Sequence, residues 1–221
     1  MTKPTQQAIV IGLGQFGSTL ARALAERNVE VLGVDLLEER VQAIAPYVSD
    51  AACLDATETD ALAKLAPERR DFCVCAIGDD ARDATILCTA LLRQLGAPRI
   101  ISRANDELLA RILNLVGAHQ VVNPAREFGQ RFANQILHAG LLDEMRLGDD
   151  IVVSEVECPR AFIGRSLREL TLPSRYGVTI VALRRRDGAV KMPDPNTPLA
   201  DGDVLVLVAR DGQVAKMIDR N

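Results

Sequence analysis

One stretch near the amino terminus, residues 8–24, constrains the fold of this chain more than any other. Its first four residues are apolar and predict a short strand buried on both faces, and the apolar positions at helical spacing near its end predict a helix. The turn between them has the spacing G-x-G-x-x-G. In such a turn Gly12 permits the tight bend, Gly14 lets backbone N–H groups approach a pyrophosphate, and Gly17 lets the helix pack closely on the strand. The stretch therefore predicts a nucleotide-binding strand, turn and helix.

The next predicted strand, residues 30–35, strengthens this interpretation. It ends at Asp35, about 20 positions after the turn, where a carboxylate can accept hydrogen bonds from both ribose hydroxyls of an adenosine. The negative charge of Asp35 favours a ribose whose 2′-hydroxyl is not phosphorylated. A glycine-rich turn with only a structural role is the alternative.

Strand and helix patterns alternate as far as residue 122. Further strands are predicted at residues 50–54, 71–78, 99–103 and 119–122, and further helices at residues 36–45, 57–65, 79–95 and 106–116. Six strands joined by helices and short loops predict an α/β fold, a Rossmann-like doubly wound parallel sheet with helices on both faces.

Pro124 begins a predicted helix that continues to about residue 138. Its side chains Phe128, Phe132 and Ile136 lie at positions i, i+4 and i+8 and form one apolar stripe. An ordinary core helix is one interpretation. Because the sheet already has its helices, we favour the other interpretation, a contact between subunits.

The remainder of the chain predicts a small α+β domain. Strands are expected at residues 151–156, 178–183 and 204–209, and a short helix at 166–170. The step Asp187-Gly188 predicts a hairpin, and the three arginines before it, residues 184–186, are interpreted as a solvated strand end. The chain is thus divided into a nucleotide-binding domain (1–123), a crossover helix and linker (124–147) and a C-terminal domain (148–221).

The carboxyl ends of parallel strands meet at one edge of a sheet, and ligands bind there at the point where the strand order reverses. Asp55 and Thr57 can bind a base or a ribose, or can instead cap the next helix. Arg103 can bind phosphate, or can instead form a surface ion pair. The predicted nucleotide-binding residues are Gly12, Leu13, Gly14, Gln15, Phe16, Gly17, Asp35, Asp55, Ala56, Thr57, Ile77, Gly78 and Arg103.

Composition excludes several functions. A net charge of −4 and a pI near 5.3 disfavour binding to nucleic acid or to an anionic membrane surface. No apolar run approaches the roughly 18 residues needed to span a bilayer, which predicts a soluble chain. The five cysteines form no C-x-x-C pair, and four of them lie in apolar runs typical of buried positions in a reducing cytoplasm.

No catalytic set accompanies the predicted nucleotide site. His119 and His138 are isolated, and no His/Cys cluster has the spacing of a zinc site. We therefore predict no catalytic residue and no metal ligand, and interpret the nucleotide as a signal. The alternative is an NAD-dependent oxidoreductase with a Rossmann fold.

The order of the motifs resembles that of the KTN/RCK regulatory subunits of Trk/Ktr-type potassium uptake systems. The resemblance covers nearly the whole chain, including its C-terminal domain, and is specific as an ordered set. It rests on residues 9–17, 34–35, 55–57, 76–78, 103–105, 117–124, 163–170 and 202–205.

What the resemblance implies is a cytoplasmic subunit that binds ADP or ATP, with NAD also possible. Homodimers would assemble into an octameric ring beneath an integral-membrane potassium-transporting subunit. The two nucleotides would favour different ring shapes and so gate the transporter, which requires unequal affinity for the two shapes.

The chain departs from the family pattern at two positions. Gln15 stands where such subunits commonly carry a basic residue suited to a γ-phosphate, so which nucleotide activates stays open. Ala125 follows Pro124 where they often carry a glutamate that joins a divalent cation, and Glu127 would replace it only after a shift of the helix. Arg175 matches only part of the cyclic di-AMP site of some relatives, and we do not predict that ligand.

Overall fold

The computed structural model of the chain describes residues 5–78, 81–148 and 150–219. Two compact units divide the chain, one ending at Arg126 and the other beginning at Glu127. No helix within the described ranges is both long enough and apolar enough to cross a lipid bilayer.

The first unit is a parallel sheet with helices between its strands. Its strands are β1 (Gln7–Ile11), β2 (Glu30–Asp35), β3 (Asp50–Cys53), β4 (Phe72–Cys75), β5 (Ile100–Arg103) and β6 (Gln120–Val122). Its helices are α1 (Gln15–Ala25), α2 (Glu38–Ile44), α3 (Thr59–Ala63), α4 (Arg82–Gln94) and α5 (Glu107–Leu115). The strand order is β3-β2-β1-β4-β5-β6, and every neighbouring pair is parallel. The predicted Rossmann-like fold is confirmed, and the strand order reverses between β1 and β4.

Strand β1 is the centre of this unit because it packs on both faces. Successive side chains of a strand point to opposite faces, so Ile9 and Val10 belong to two separate apolar clusters. Ile9 packs in the cluster that contains Leu92 of α4, whereas Val10 packs in the cluster that contains Ala21 of α1. Both side chains are fully buried. A continuous apolar run is thus the sequence signature of a strand covered by two helical layers.

The prediction that four of the five cysteines occupy buried positions is only partly correct. Cys73, Cys75 and Cys88 are buried, as predicted, but Cys158 is half-buried and Cys53 is exposed. Cys53 ends β3, which is the edge strand of the sheet. An edge strand has a neighbour on only one side, so its last residue is not enclosed.

Helix α6 (Pro124–Leu137) confirms the predicted helix, and none of its residues is buried. The apolar stripe of α6, defined as Phe128, Phe132 and Ile136, is 65%, 48% and 69% exposed. The two phenylalanine rings stack with their centroids 5.6 Å apart.

The second unit is an antiparallel sheet with short helices. Its strands are β7 (Leu141–Arg146), β8 (Ile151–Glu157), β9 (Val178–Arg184), β10 (Val190–Lys191) and β11 (Val204–Arg210), in the order β10-β9-β11-β8-β7. Its helices are α7 (Leu167–Leu170), α8 (Leu172–Tyr176) and α9 (Gln213–Ile218). Buried side chains from β8, β11 and α9, such as Val152, Leu207 and Met217, share one core.

Local signals predicted part of this second unit correctly. Ser166 and Glu169 form a reciprocal capping box at the start of α7, and Gly188 forms the hairpin between β9 and β10 with a φ of +84°. Strand β7, in contrast, lies where the sequence predicted a linker. The sequence also missed α8 and α9, each of which has only five or six residues.

Two of the three consecutive arginines form ion pairs, which the sequence analysis did not predict, whereas Arg186 is exposed, as predicted. Arg184 lies within β9, and its guanidinium donates to Glu155 on β8 at 2.6 Å. Arg185 pairs with the buried carboxylate of Asp203. The antiparallel sheet brings these acidic groups close, although they are distant in the sequence.

Candidate functional site

The turn between β1 and α1 closes against the end of β4. Gly12 has a φ of +90°, and a Cβ atom there would lie 2.7 Å from the main-chain nitrogen of Ile77. The N–H of Gly12 donates to the carbonyl of Val34 on β2 at 2.8 Å. The turn therefore contacts both strands that flank β1, at the point where the strand order of the sheet reverses.

Gly14 is the N-cap of α1 and has an open environment. Among the residues that the structure describes, no atom lies within 4 Å of the position that a Cβ of Gly14 would occupy, apart from its own chain neighbours. No side chain caps the helix at this residue, and the first turn of α1 contains no acidic residue. The positive end of the helix dipole and its N–H groups can therefore receive an anion here.

Asp35 ends β2, as predicted, and its carboxylate holds the turn in place. One oxygen, Oδ2, accepts a hydrogen bond from the N–H of Leu13 at 2.6 Å. The other, Oδ1, accepts from the N–H of Leu37 at 2.9 Å. The carboxylate thus links the glycine-rich turn to the loop before α2, which makes it a structural element as well as a candidate ribose ligand.

Arg40 is a residue of this site that sequence reasoning missed. Its Nη1 lies 3.4 Å from Oδ2 of Asp35, and its side chain is 48% exposed whereas that of Asp35 is 5% exposed. Its position in α2, five residues after Asp35, was the available signal, because one further helical turn brings a side chain back toward the end of β2.

Asp55 and Thr57 lie in the loop after β3 and bind each other. Oδ1 of Asp55 accepts from the hydroxyl of Thr57 at 2.7 Å and from its N–H at 2.9 Å. The Thr57 hydroxyl, followed by its N–H, holds the pKa of the Asp55 carboxyl below its usual value. Helix α3 begins only after the N-cap Glu58, without a side-chain cap, so the capping alternative for both residues is wrong.

The other predicted residues after β3 and β4, which are Ala56, Ile77 and Gly78, have no polar side chain and could offer a ligand only their main-chain groups. Ala56 is buried in the core, so its side chain faces away from solvent. Ile77 packs partly against the same core, and a Cβ on Gly78 would meet open space. The predicted start of the following helix at residue 79 lies outside the described residues, and α4 begins at Arg82.

Arg103, at the end of β5, extends to the start of α1. Its guanidinium carbon lies 5.8 Å from the centroid of the Phe16 ring. Gln15, the first residue of α1, is exposed and uncharged. A cation is therefore present near the amino end of α1 even though Gln15 does not supply one.

These contacts bring the predicted residues to one edge of the sheet. The turn residues meet Asp35 of β2 and Ile77 after β4, and Phe16 meets Arg103 of β5. The loop carrying Asp55 joins them because the N–H of Leu54 donates to the carbonyl of Asp35 at 3.1 Å. Among the residues that the structure describes, no three His, Cys, Asp or Glu side chains are grouped in a way that could hold a metal ion.

Comparison with known proteins matches two parts of the sequence to described domain families. The TrkA-N domain model matches residues 8–124, and the TrkA-C domain model matches residues 151–220. The Ktr system potassium uptake protein A of Vibrio alginolyticus is 32% identical over 213 residues, which is 96% of this chain and 96% of that protein.

Two solved structures share the fold at low sequence identity. The GsuK channel bound to NAD is 20% identical, with a TM-score of 0.67, over 97% of this chain and 39% of that chain. GsuK bound to ADP is also 20% identical, with a TM-score of 0.50, over 58% of this chain and 33% of that chain.

Proposed function

The chain belongs to the family of proteins built from a TrkA-N and a TrkA-C domain, and from this premise we propose that it is the nucleotide-sensing regulatory subunit of a potassium uptake system. The similarity to the Ktr potassium uptake protein extends over nearly the whole of both chains. The resemblance to KTN/RCK regulatory subunits that the motifs indicated is thereby confirmed.

The ligand we propose is an adenine nucleotide with a diphosphate, either ADP or ATP, with NAD as a further possibility. The observation that carries this proposal is the environment of Gly14, an uncapped helix start with open space before it at the point where strand order reverses. The diphosphate would bind there, the ribose near Asp35, and further phosphate near Arg103. That structures of GsuK with NAD and with ADP exist supports this choice of ligands.

The same site gives little support to the alternative, an NAD-dependent oxidoreductase. Neither of the two histidines lies at the carboxyl edge of the first sheet. His119 precedes β6 and its Nδ1 accepts from the N–H of Ile100 at the opposite edge, whereas His138 belongs to the second unit and contacts Asp219. We propose a regulatory protein without catalytic residues.

The proposed partner is an integral-membrane potassium-transporting subunit of the Trk/Ktr type. The proposed location is the cytoplasm, at the inner face of the membrane that holds the partner. Homodimers would form through the apolar stripe of α6 and assemble into an octameric ring. The exposure of all three stripe residues supports this contact, because a helix in a monomer core would bury them.

The roles that we propose for the three segments of the chain follow the predicted domain boundaries. Residues 1–123 bind the nucleotide, residues 124–147 provide the dimer contact, and residues 148–221 form the C-terminal domain, with β7 of the middle segment completing its sheet. ADP and ATP would act by binding two ring shapes with different affinity, since a ligand of equal affinity shifts no equilibrium.

Gly14→Asp is the variant that tests this function. An aspartate is a favourable N-cap, and no atom obstructs its Cβ, so the fold should be retained. Its carboxylate would occupy the position proposed for the diphosphate and repel it. The matched control is Gly148→Asp, where a Cβ also meets no atom within 4 Å.

The measurement is potassium flux through the reconstituted transporter with ADP or ATP. Flux should depend on the nucleotide with the wild type and with Gly148→Asp, and should lose this dependence with Gly14→Asp. A response that is identical in all three proteins would contradict the proposal. Oxidation of a metabolite coupled to NAD reduction would favour the enzyme instead.

A further inference from the structure

The side of the site that holds the ribose contains a carboxylate and a guanidinium together. Where a Rossmann-type site binds an unphosphorylated ribose, a carboxylate accepts from the 2′-hydroxyl, and where it binds a 2′-phosphate, an arginine nearby provides the contact. Here Asp35 and Arg40 supply both groups, 3.4 Å apart. The negative charge of Asp35, considered alone, predicts that a 2′-phosphate is repelled.

The contacts of Asp35 weaken that repulsion. Both of its oxygens already accept main-chain N–H groups, from Leu13 and Leu37, and Arg40 adds a full positive charge beside Oδ2. The carboxylate charge is therefore compensated on the protein side before any ligand arrives.

The relative exposure of the two side chains determines which of them a ligand meets. The carboxylate is almost completely covered, whereas about half of the Arg40 side chain faces solvent. A guanidinium has five N–H donors in a planar fork that suits phosphate, and one contact with Asp35 uses only part of them. A group on the 2′-oxygen would therefore approach the cation first.

We propose that Arg40 is a specificity-determining residue that lets the site accept adenine nucleotides carrying a 2′-phosphate, a class that the sequence alone argued against. This inference rests on the proposed adenine nucleotide site. It extends that proposal from the diphosphate to the ribose, and it assigns a role to a residue that lies outside the predicted site.

Isothermal titration calorimetry with NAD⁺ and NADP⁺ tests the inference, because the two probes differ only by the 2′-phosphate. The wild type should bind NADP⁺ with an affinity within about tenfold of that for NAD⁺. Arg40→Gln should weaken the binding of NADP⁺ by at least about tenfold and the binding of NAD⁺ by less than about threefold. Arg40→Lys keeps the positive charge but loses the planar fork of donors, so its affinity for NADP⁺ should lie between those of the wild type and Arg40→Gln.

The matched control is Arg69→Gln. Arg69 is exposed and pairs with an adjacent acidic residue, but it precedes β4 and so lies at the opposite edge of the sheet. Arg69→Gln should leave the affinities for NAD⁺ and NADP⁺ unchanged. The inference is overturned if the wild type binds NADP⁺ more than about tenfold more weakly than NAD⁺, or if Arg40→Gln affects both probes equally or neither. If the wild type binds neither NAD⁺ nor ADP, the proposed nucleotide site itself fails, and the inference fails with it.

Discussion

A Cβ atom on Gly17 would lie only 1.8 Å from the carbonyl oxygen of Gly12. The first turn of α1 and the end of β1 thus approach as closely as their backbones allow. The third glycine of the motif is required by packing within the protein, whereas a Cβ on Gly14 would meet no atom of the described residues, and Gly14 is the glycine that we propose faces the ligand.

This difference predicts opposite behaviour for two alanine substitutions. Gly17→Ala must displace backbone, so we expect it to reduce the free energy of unfolding by at least the roughly 1–3 kcal/mol typical of overpacking. Gly14→Ala should lose less stability than Gly17→Ala but bind ADP weakly, because its methyl group would face the position proposed for the diphosphate. Urea unfolding and calorimetry measure the two effects. An equal loss of stability in both variants would contradict the assignment of Gly17 to packing and of Gly14 to ligand binding.

Arg103 is expected to bind phosphate, with Phe16 as the residue that positions it. Arg103→Gln should weaken ADP binding by about tenfold or more and leave adenosine nearly unchanged, since adenosine has no phosphate. Phe16→Leu should weaken ADP binding by about threefold, because the contact between ring and guanidinium is lost while a leucine keeps apolar packing against the neighbouring core. Arg99→Gln is the control, because Arg99 immediately precedes the amino end of the same strand and contacts Gln120. Calorimetric titration that shows the same loss for ADP and adenosine would contradict a phosphate contact.

The apolar stripe of α6 is expected to hold the homodimer together. Replacing both Phe128 and Phe132 with serine should weaken it, since removing a buried aromatic anchor costs about 2 kcal/mol or more, a factor of roughly 30 in affinity. Met192→Ser is the control, because Met192 is also exposed and apolar but lies outside the stripe. Light scattering measures the mass. If the double variant keeps the mass of the wild type, the stripe is not the dimer contact.

The exposed thiol of Cys53 offers a probe of the side of the site where we propose that the ribose binds. Its pKa is raised by the packing around it, then by a hydrogen bond with Glu38 and by the negative charges of Glu38 and Asp35. A raised pKa leaves less thiolate at a given pH, so alkylation by iodoacetamide should be slower than for an ordinary thiol and should increase as the pH rises. Glu38→Gln should accelerate it.

Mass spectrometry of the labelled protein measures this rate. Because Cys53 pairs in register with Asp35, we also expect ADP to protect it. Cys53→Ser is the control for labelling at the other, less exposed cysteines. Faster labelling than a free thiol, or a rate that does not depend on Glu38, would contradict the expected pKa shift.

Much of the first unit was predictable because its signals are local. The apolar run before Gly12 predicted a strand buried on both faces, and the helical spacing after Gly14 predicted α1. In the second unit, the step Asp187-Gly188 predicted the hairpin in the same way, and the helix predicted at residues 166–170 begins at the N-cap Ser166. Strand β7 was missed because it is an edge strand that buries the charged Glu144 and exposes the apolar Leu142 and Met145, so its sequence does not show apolar residues on the buried face.

The sequence by itself determined the order of the elements, the glycine-rich turn and the position of Asp35 at the end of a strand, because backbone geometry and apolar periodicity are recorded within a few neighbouring residues. Only the tertiary structure decided which strands flank the turn and what the side chains contact. Asp35 and Leu13 are 22 positions apart, and Arg103 meets Phe16 from a different strand. Such pairs depend on strand order and on the direction of each side chain. Strand order results from packing the whole sheet, so no single segment of the sequence specifies it.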